Sequence, residues 1–225
     1  DMQYRAKRIS GEYDVCTCRG VVIRDPAGEP DYFAGTIRNH GIQGHIDTLT
    51  GLRNQYGFFE DLNSYIRRNT TINVILLSIS RFSEINEMYG YHFGNQVLQQ
   101  YSRAIYDNTG NEGHSYRIDG TKFAVISNTL TIAELQDKYN RFRAYLHDAF
   151  TVDGRKVLLN LNCGALAVDS FDIDPQTIYA CLNFANEESK KLRKGDMVEF
   201  RTDLNKGSHQ RLEKLHAIRA SITHG

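Results

Sequence analysis

A nearly continuous apolar segment, residues 71–80 (TINVILLSIS), constrains the fold more than any other feature of this 225-residue chain. The segment has the length of a strand but lacks the apolar–polar alternation of a half-buried one, so it predicts a central strand covered on both faces. Helix-period segments precede and follow it, at 54–68 and 82–108. This order predicts an α/β (α+β) fold, in which helices flank a central mixed β-sheet.

The pattern continues downstream. The pair Asp119-Gly120 separates two alternating runs, which is a strong β-hairpin signal. Glycines 90 and 94 predict a break within the helical segment 82–108. The elements predicted after the hairpin are an amphipathic helix at 132–146, strands at Phe150–Val152 and Val157–Val168, a helix from Pro175 to Arg193, and a short strand at 197–200.

The first 39 residues carry a different pattern. Three β-rich runs predict antiparallel strands, and Asp25-Pro26-Ala27-Gly28 is turn chemistry between the last two. Three such strands bury little core alone. We therefore expect residues 1–39 to be the last part of a larger domain, residues 40–46 to be a linker, and residues 204–225 to be a helical linker to a downstream domain.

Charge and hydropathy exclude several classes of protein. The 27 Lys and Arg residues balance 27 Asp and Glu residues, which removes the electrostatic case for a nucleic-acid or membrane-surface binder. The chain has no apolar run of the ~20 residues that span a bilayer and does not start like a signal peptide, so we expect a soluble, cytoplasmic protein. Of the four cysteines only Cys16 and Cys18 are close together, and a lone C-x-C pair favours packed, reduced thiols over a zinc site or a disulfide framework.

Three ordered motifs carry a family resemblance. Residues 47–54 (DTLTGLRN) match the pattern D-x-L-T-G-L-x-N, and residues 81–95 (RFSEINEMYGYHFGN) follow a second pattern, x-F-K-x-I-N-D-x-x-G-H-x-x-G-D. Residues 117–123 (RIDGTKF) are in register with R-x-G-G-D-E-F. Residues 47–203 therefore resemble the GGDEF domains of bacterial diguanylate cyclases, which implies a nucleotidyl-cyclase-like sheet.

The flanking segments resemble other signalling modules. Residues 19–30 (RGVVIRDPAGEP) are similar to the final hairpin of a PAS sensory domain, so residues 1–39 are expected to be its C-terminal part, an antiparallel β-hairpin remnant. The segment after Asn205 is similar to the linkers that precede EAL phosphodiesterase domains. The implied architecture is PAS–GGDEF–EAL within one protein.

The resemblance also implies a reaction. The family makes cyclic di-GMP from two GTP molecules, with a metal held by carboxylates at two positions and a further acid in the signature loop. Those positions hold Ser78, Thr121 and Lys122. Because Mg²⁺ at such sites needs anionic ligands and Lys122 repels a cation, no catalytic residue and no metal are expected. Mg²⁺ would be a cofactor only if cyclase activity survives.

Other acids do not replace the missing ligands in this prediction. Asp119 is expected to supply the hairpin turn, and Glu84 and Glu87 to be solvated helix surface, since no spacing pairs them as ligands. A relocated metal site is the alternative. The family's inhibitory R-x-x-D motif is replaced by Gly110 and Gly113, so binding of cyclic di-GMP there is not expected.

Guanine-nucleotide recognition is the property that the resemblance leaves open. Asn86 and Asn95 fall on the two positions that contact guanine, and an amide can still pair with the base. The other predicted nucleotide-binding residues are Phe82, Ser83, Gly120 and Lys122, of which the last two belong to the signature loop Asp119, Gly120, Thr121, Lys122 and Phe123. One hypothesis is that the site retains weak, metal-independent binding of GTP or GDP. The alternative is that Asn86 caps or packs locally and the pocket is vestigial.

The sequence thus predicts a degenerate, catalytically inactive GGDEF domain that acts as a regulatory relay, with a homodimer and a downstream EAL domain as expected partners. Two alternatives remain. One is an active diguanylate cyclase with unusual metal ligands. The other is a protein-interaction or dimerisation module that needs no nucleotide.

Overall fold

The computed structural model describes residues 2–7, 13–25, 27–39, 44–192 and 194–201. The chain divides into two compact units, residues 1–46 and residues 47–225. The predicted helical linker 204–225 and most of the predicted linker 40–46 lie outside the described residues. None of the helices within the described ranges has the length and hydropathy of a membrane span.

The first unit is a three-stranded antiparallel sheet. Its strands are β1 (Met2–Lys7), β2 (Tyr13–Arg24) and β3 (Pro30–Asn39), in that spatial order. The Asp25 carboxylate closes the β2–β3 turn by accepting hydrogen bonds from the backbone N–H groups of Ala27 (2.9 Å) and Glu29 (2.8 Å). The predicted antiparallel strands and turn are confirmed.

Apolar side chains of this sheet remain uncovered. Val21, Ile23 and Tyr32 lie on one face and are exposed. Cys16 is buried on β2, and it and the other three cysteines are free thiols. The sheet therefore leaves apolar surface in water, as expected for three strands without a full core.

Over residues 47–192 and 194–201, which the structure describes, the second unit contains one large sheet, a small hairpin and four α-helices. Its elements are β4 (Arg53–Asn54), α1 (Gln55–Arg67), β5 (Ile72–Ser80), α2 (Phe82–Thr109), β6 (His114–Asp119), β7 (Lys122–Ser127), α3 (Ile132–Asp148), β8 (Thr151–Val152), β9 (Arg155–Lys156), β10 (Asn160–Val168), α4 (Pro175–Leu192) and β11 (Met197–Glu199). A 3₁₀ turn, Gly110–Glu112, follows α2. The six-stranded sheet has the order β11-β10-β5-β7-β6-β4. The β10–β11 and β4–β6 pairs are parallel and the others antiparallel, so the sheet is mixed as predicted.

Strand β5 is the centre of this sheet. Its odd-numbered residues Ile75, Leu77 and Ile79 join a core with α2 and α3, whereas Val74 and Leu76 join a second core with α1 and α4. This is the two-faced burial that the uninterrupted apolar run predicts.

The strand predicted at Val157–Val168 is too long. Regular pairing begins only at Asn160, because the chain first folds back as the small β8–β9 hairpin. Asp153 and Gly154 turn that hairpin with φ of +48° and +73°, the pair of left-handed residues that is typical of a type I′ turn. Val157 and Leu159 precede the strand but are buried as strand residues are. Their alternating apolar pattern therefore looks the same as that of the strand itself.

Candidate functional site

The signature hairpin and the end of β5 meet on the face of the sheet that α4 covers. Ser78 of β5 is directly paired with Lys122 of β7 on one side and with Asn162 of β10 on the other. Directly opposed residues of antiparallel strands share a face. The sheet therefore places Ser78, which occupies one of the family's metal positions, beside Lys122, which occupies the position of the further acid.

The Ser78 side chain forms an internal hydrogen bond. Its side chain is buried, and its hydroxyl donates to Oδ1 of Asn186 on α4 at 2.7 Å. The Asn186 amide Nδ2 donates in turn to the carbonyl oxygens of Leu76 (2.9 Å) and Asn162 (3.2 Å). Asn186 is only 1% exposed, so its amide joins α4 to β5 and β10 through three hydrogen bonds.

Lys122 is also held by α4. Its ammonium Nζ donates to Oδ1 of Asn183 at 3.1 Å, one helical turn before Asn186. On the sheet, the Asn162 amide donates to the hydroxyl of Ser80 at 2.6 Å. We call this set the amide network, defined as Ser78, Ser80, Lys122, Asn162, Asn183 and Asn186. Its only charged member is the ammonium group.

The donors at the family's metal positions do not fit a divalent cation. Mg²⁺ is held in proteins by one or more carboxylates together with water and phosphate oxygens. Here the Ser78 hydroxyl is buried, Thr121 offers a neutral hydroxyl, and Lys122 adds positive charge. Across the described ranges, no group of three or more His, Cys, Asp or Glu side chains is placed to hold a metal.

The acids considered as replacements lie elsewhere. Asp119 is exposed at the hairpin, and Glu87 is exposed on α2. Glu84 pairs with Arg81 at 2.7 Å on the surface. The lysines near the end of α4 are likewise paired with carboxylates of their own helix, Lys190 with Glu187 and Lys191 with Glu188. Arg193 lies outside the described residues.

A second polar network joins the first motif to the signature hairpin. Arg117 donates to the carboxylate of Asp47 at 2.9 Å, across 70 residues of chain, and to the carbonyl oxygen of Gly120 at 2.9 Å. The same carboxylate oxygen accepts from the backbone N–H of Thr50 (2.9 Å) and from its hydroxyl (2.7 Å). We call Asp47, Thr50, Arg117 and Gly120 the Asp47–Arg117 network. It is partly buried, with the Arg117 side chain 12% exposed.

The electrostatics of Asp47 follow from these contacts. Burial alone raises the pKa of the Asp47 carboxyl, but the hydrogen bonds from Thr50 and Arg117 and the nearby guanidinium charge more than offset it. The pKa therefore lies below its ordinary value of 3.8. Asp47 is ionised at neutral pH and fixes the hairpin through a charged contact.

The two predicted guanine-reading residues lie on either side of a break in α2. Gly90 has φ of +83°, which interrupts the helix as predicted and favours glycine. Beyond the break, a Cβ atom at Gly94 would lie 2.0 Å from Oδ1 of Asn86, so the Asn86 amide packs directly against this glycine. The break thus brings Asn86 next to the turn of helix that carries Asn95. Asn95 is exposed and Asn86 partly exposed.

The remaining predicted nucleotide-binding residues differ in accessibility. The ring of Phe82 is 9% exposed and belongs to the core, which leaves only its backbone for a ligand. Ser83 is exposed at the start of α2 and Gly120 is exposed in the hairpin turn. Lys122 is partly exposed and already donates to Asn183.

The comparisons with known proteins agree with this architecture. Residues 44–195 match the family described as "Diguanylate cyclase, GGDEF domain". The chain belongs to the GGDEF family. This confirms the family that the three motifs indicated.

Individual relatives are distant. The diguanylate cyclase DosC of Escherichia coli is 25% identical over 126 residues, which cover 53% of this chain and 27% of DosC. The GGDEF domain of DgcB from Caulobacter crescentus, solved in complex with c-di-GMP, superposes with a TM-score of 0.63 at 17% identity, over 71% of this chain and 94% of that one. Diguanylate cyclase SiaD of Pseudomonas aeruginosa, solved with its activator SiaC, gives 0.63 at 18% identity, over 68% and 61%. The solved structures confirm the GGDEF fold.

Sequence reasoning missed three members of the amide network. Asn183 and Asn186 have i, i+3 spacing on α4, and Asn162 lies in an apolar strand. An amide on the buried face of an amphipathic helix needs a hydrogen-bond partner, and that is the signal that would have found Asn186. Its partners Ser78 and Leu76 are more than 100 residues away, so the sequence alone does not identify them.

Proposed function

We propose that this GGDEF domain is a catalytically inactive regulatory domain of a cyclic di-GMP signalling protein. The observation that carries the proposal is the amide network, in which Ser78 and Lys122 are bonded to Asn186 and Asn183 of α4. Neutral hydroxyls at Ser78 and Thr121 and the ammonium group of Lys122 stand where the family uses carboxylates, and amides of α4 bond to Ser78 and Lys122.

The charge of Lys122 makes the consequence large. At an effective dielectric constant of about 20, each unit of positive charge placed about 5 Å from the ammonium group costs about 3 kcal/mol. A divalent cation would meet twice that repulsion with no carboxylate to offset it. Phosphoryl transfer depends on metal ions to neutralise developing charge, so the domain lacks the main source of rate acceleration for a cyclase.

The direct test is product formation. The chain is incubated with GTP and either Mg²⁺ or Mn²⁺, and the products are separated by chromatography, with DosC assayed in parallel as the active control. We expect cyclic di-GMP from DosC and none from this chain. Sustained formation of cyclic di-GMP by this chain would overturn the proposal and favour a cyclase with unusual metal ligands.

We further propose that the site binds guanine nucleotides weakly and without metal. Support comes from the adjoining positions of Asn86 and Asn95 and from Lys122, whose ammonium can contact a phosphate in place of a cation.

Calorimetric titration with GTP should give the same affinity with and without Mg²⁺. Lys122→Met should weaken binding, whereas Lys156→Met, a change at an exposed lysine of β9, should not. Absence of heat in both conditions would exclude nucleotide binding and leave a nucleotide-independent interaction module.

The wider arrangement is part of the same proposal. We infer that residues 1–39 end a PAS sensory domain, that an EAL domain follows in the full protein, and that the protein is a cytoplasmic homodimer. The uncovered apolar face of β2 and β3 supports a larger N-terminal domain. In this arrangement the GGDEF domain passes a sensory input to the downstream output.

A further inference from the structure

A polar groove on the α2 side of the GGDEF domain lies away from the amide network. It is an open depression of about 670 Å³. Its walls are the loop at Leu49–Leu52, one face of α2 and the β8–β9 hairpin, and the α2 residues in it, Gln96, Gln99, Gln100 and Arg103, have i, i+3, i+4, i+7 spacing. That spacing places them in one row along the helix.

Two of the glutamines donate hydrogen bonds to residues of the groove walls. The Gln96 amide donates to the Asp153 carboxylate at 2.8 Å, and the Gln99 amide donates to the carbonyl oxygen of Leu49 at 3.2 Å. Because both NH₂ groups face the protein, both amide oxygens remain as acceptors for a ligand. Gln100 adds an amide with both donor and acceptor atoms. The row therefore offers acceptor oxygens from three amides and a donor from Gln100, which can pair with the N–H and C=O groups of a peptide backbone.

The groove also contains a guanidinium group with no partner among the described residues. Arg103 is exposed, and within the described part of the chain its guanidinium has no ion pair or hydrogen bond. The opposite charge in the lining, Asp153, is already bonded to Gln96. Leu49 and Leu52 give the floor an apolar part, and Tyr106 is 63% exposed at the rim. These groups suit a ligand with one carboxylate and apolar flanks.

From these contacts we propose that the groove binds an extended peptide segment of a partner protein, with an acidic residue on Arg103 and its backbone along the glutamine row. From residue 96 to residue 103 the helix rises about 10 Å, the length of about three extended residues. The lining has no net positive charge, which argues against a nucleotide phosphate. The proposal gives the regulatory domain a partner, but its test does not depend on cyclase activity.

The test is an NMR titration of the whole chain that follows the glutamine side-chain amide resonances. The probe is the blocked peptide acetyl-Ala-Leu-Asp-Leu-Ala-amide at millimolar concentration, with versions containing Asn or Lys in place of Asp as comparisons. We expect the Asp peptide to shift the resonances of Gln96, Gln99 and Gln100 and to bind about tenfold more tightly than the Asn version, because a charge-assisted hydrogen bond is lost in the latter.

Matched variants complete the design. Arg103→Glu should weaken the Asp peptide at least tenfold, whereas Arg141→Glu, a change at an exposed arginine of α3, should leave its affinity unchanged. No shift at the three glutamines with any peptide, or equal binding by Arg103→Glu, overturns the proposal. Cyclic di-GMP that shifts these resonances when the peptides do not would assign the groove to a nucleotide instead. The product assay above has a separate readout, so either proposal can fail alone.

Discussion

The two polar networks of the GGDEF domain use opposite electrostatics on the same hairpin. The Asp47–Arg117 network holds the outer side of the signature loop with an ion pair, at 2.9 Å, between partly buried groups. The amide network, on the α4 side, holds the loop with amides and hydroxyls around a single ammonium group. One network joins two family motifs by charge, while the other has no acid at positions where the family places metal ligands.

The comparison distinguishes residues that stabilise the fold from residues that metal-dependent catalysis would need. An ion pair that closes a hairpin onto a neighbouring loop contributes to stability whether or not the site is active. Metal-binding carboxylates close together repel one another, so they are useful only with a cation present. A buried amide that makes all of its hydrogen bonds satisfies the polar groups around it without any bound ligand. Under the proposed function, the domain keeps the GGDEF fold without the metal centre.

The largest expected effect comes from removing the buried amide that joins α4 to the sheet. Asn186→Ala removes the buried hydrogen bonds to the carbonyl oxygens of Leu76 and Asn162 and the one from the Ser78 hydroxyl, so we expect a loss of about 3 kcal/mol in the free energy of unfolding. Asn183→Ala is the matched control on the same helix. It loses two partly exposed hydrogen bonds, one from Lys122 and one to the carbonyl oxygen of Tyr179, and about 1 kcal/mol is expected. Urea unfolding measures both. Equal costs would mean that the amide network does not depend on Asn186.

Breaking the charged network is expected to cost less. Asp47→Ala removes the Arg117 ion pair and two hydrogen bonds from Thr50, and we expect about 2 kcal/mol of destabilisation. The control is Glu84→Ala, which breaks a surface ion pair with Arg81 and should cost less than about 0.5 kcal/mol. Thermal or urea unfolding distinguishes them. If Glu84→Ala costs as much as Asp47→Ala, the charged network has no special role in the fold.

The charged network should also respond to pH. Because the folded-state pKa of Asp47 lies below 3.8, its carboxylate stabilises the fold above pH 3.8, and this contribution is lost as pH falls through the folded pKa. The stability difference between the wild-type chain and Asp47→Asn should therefore be constant near neutral pH and shrink below pH 3.8. Urea midpoints across the acid range test this. A difference that grows on acidification would contradict the assigned direction of the pKa shift.

The smallest expected effect concerns a polar atom that belongs to neither network. The Tyr101 hydroxyl is fully buried and has no hydrogen-bond partner among the described residues. Tyr101→Phe should change stability by less than about 0.5 kcal/mol or raise it, since no bond is lost. Tyr139→Phe, which loses a 2.6 Å hydrogen bond to the carbonyl oxygen of Gly195, should cost about 1 kcal/mol. A large cost for Tyr101→Phe would show that its hydroxyl has a partner.

Much of this fold was predictable because its signals are local. The apolar run of β5, the Asp119-Gly120 hairpin and the break at Gly90 each follow from neighbouring residues. The start of β10 at Asn160 was missed because the apolar alternation of Val157 and Leu159 continues into the strand. In the site, the missing acids were visible at Ser78, Thr121 and Lys122. The hydrogen-bond partners of these residues could not be predicted, because the Ser78–Asn186 bond joins residues 108 positions apart.

The central claim is that the amide network has replaced a divalent-cation site, and Mn²⁺ binding tests it most directly. Electron paramagnetic resonance measures free Mn²⁺ as the chain is added, with and without GTP, and DosC serves as the comparison. We predict that this chain leaves the free-Mn²⁺ signal at the level set by buffer or by GTP alone. A stoichiometric loss of signal that depends on the chain, and that Lys122→Met strengthens, would contradict the account and place a metal at this site.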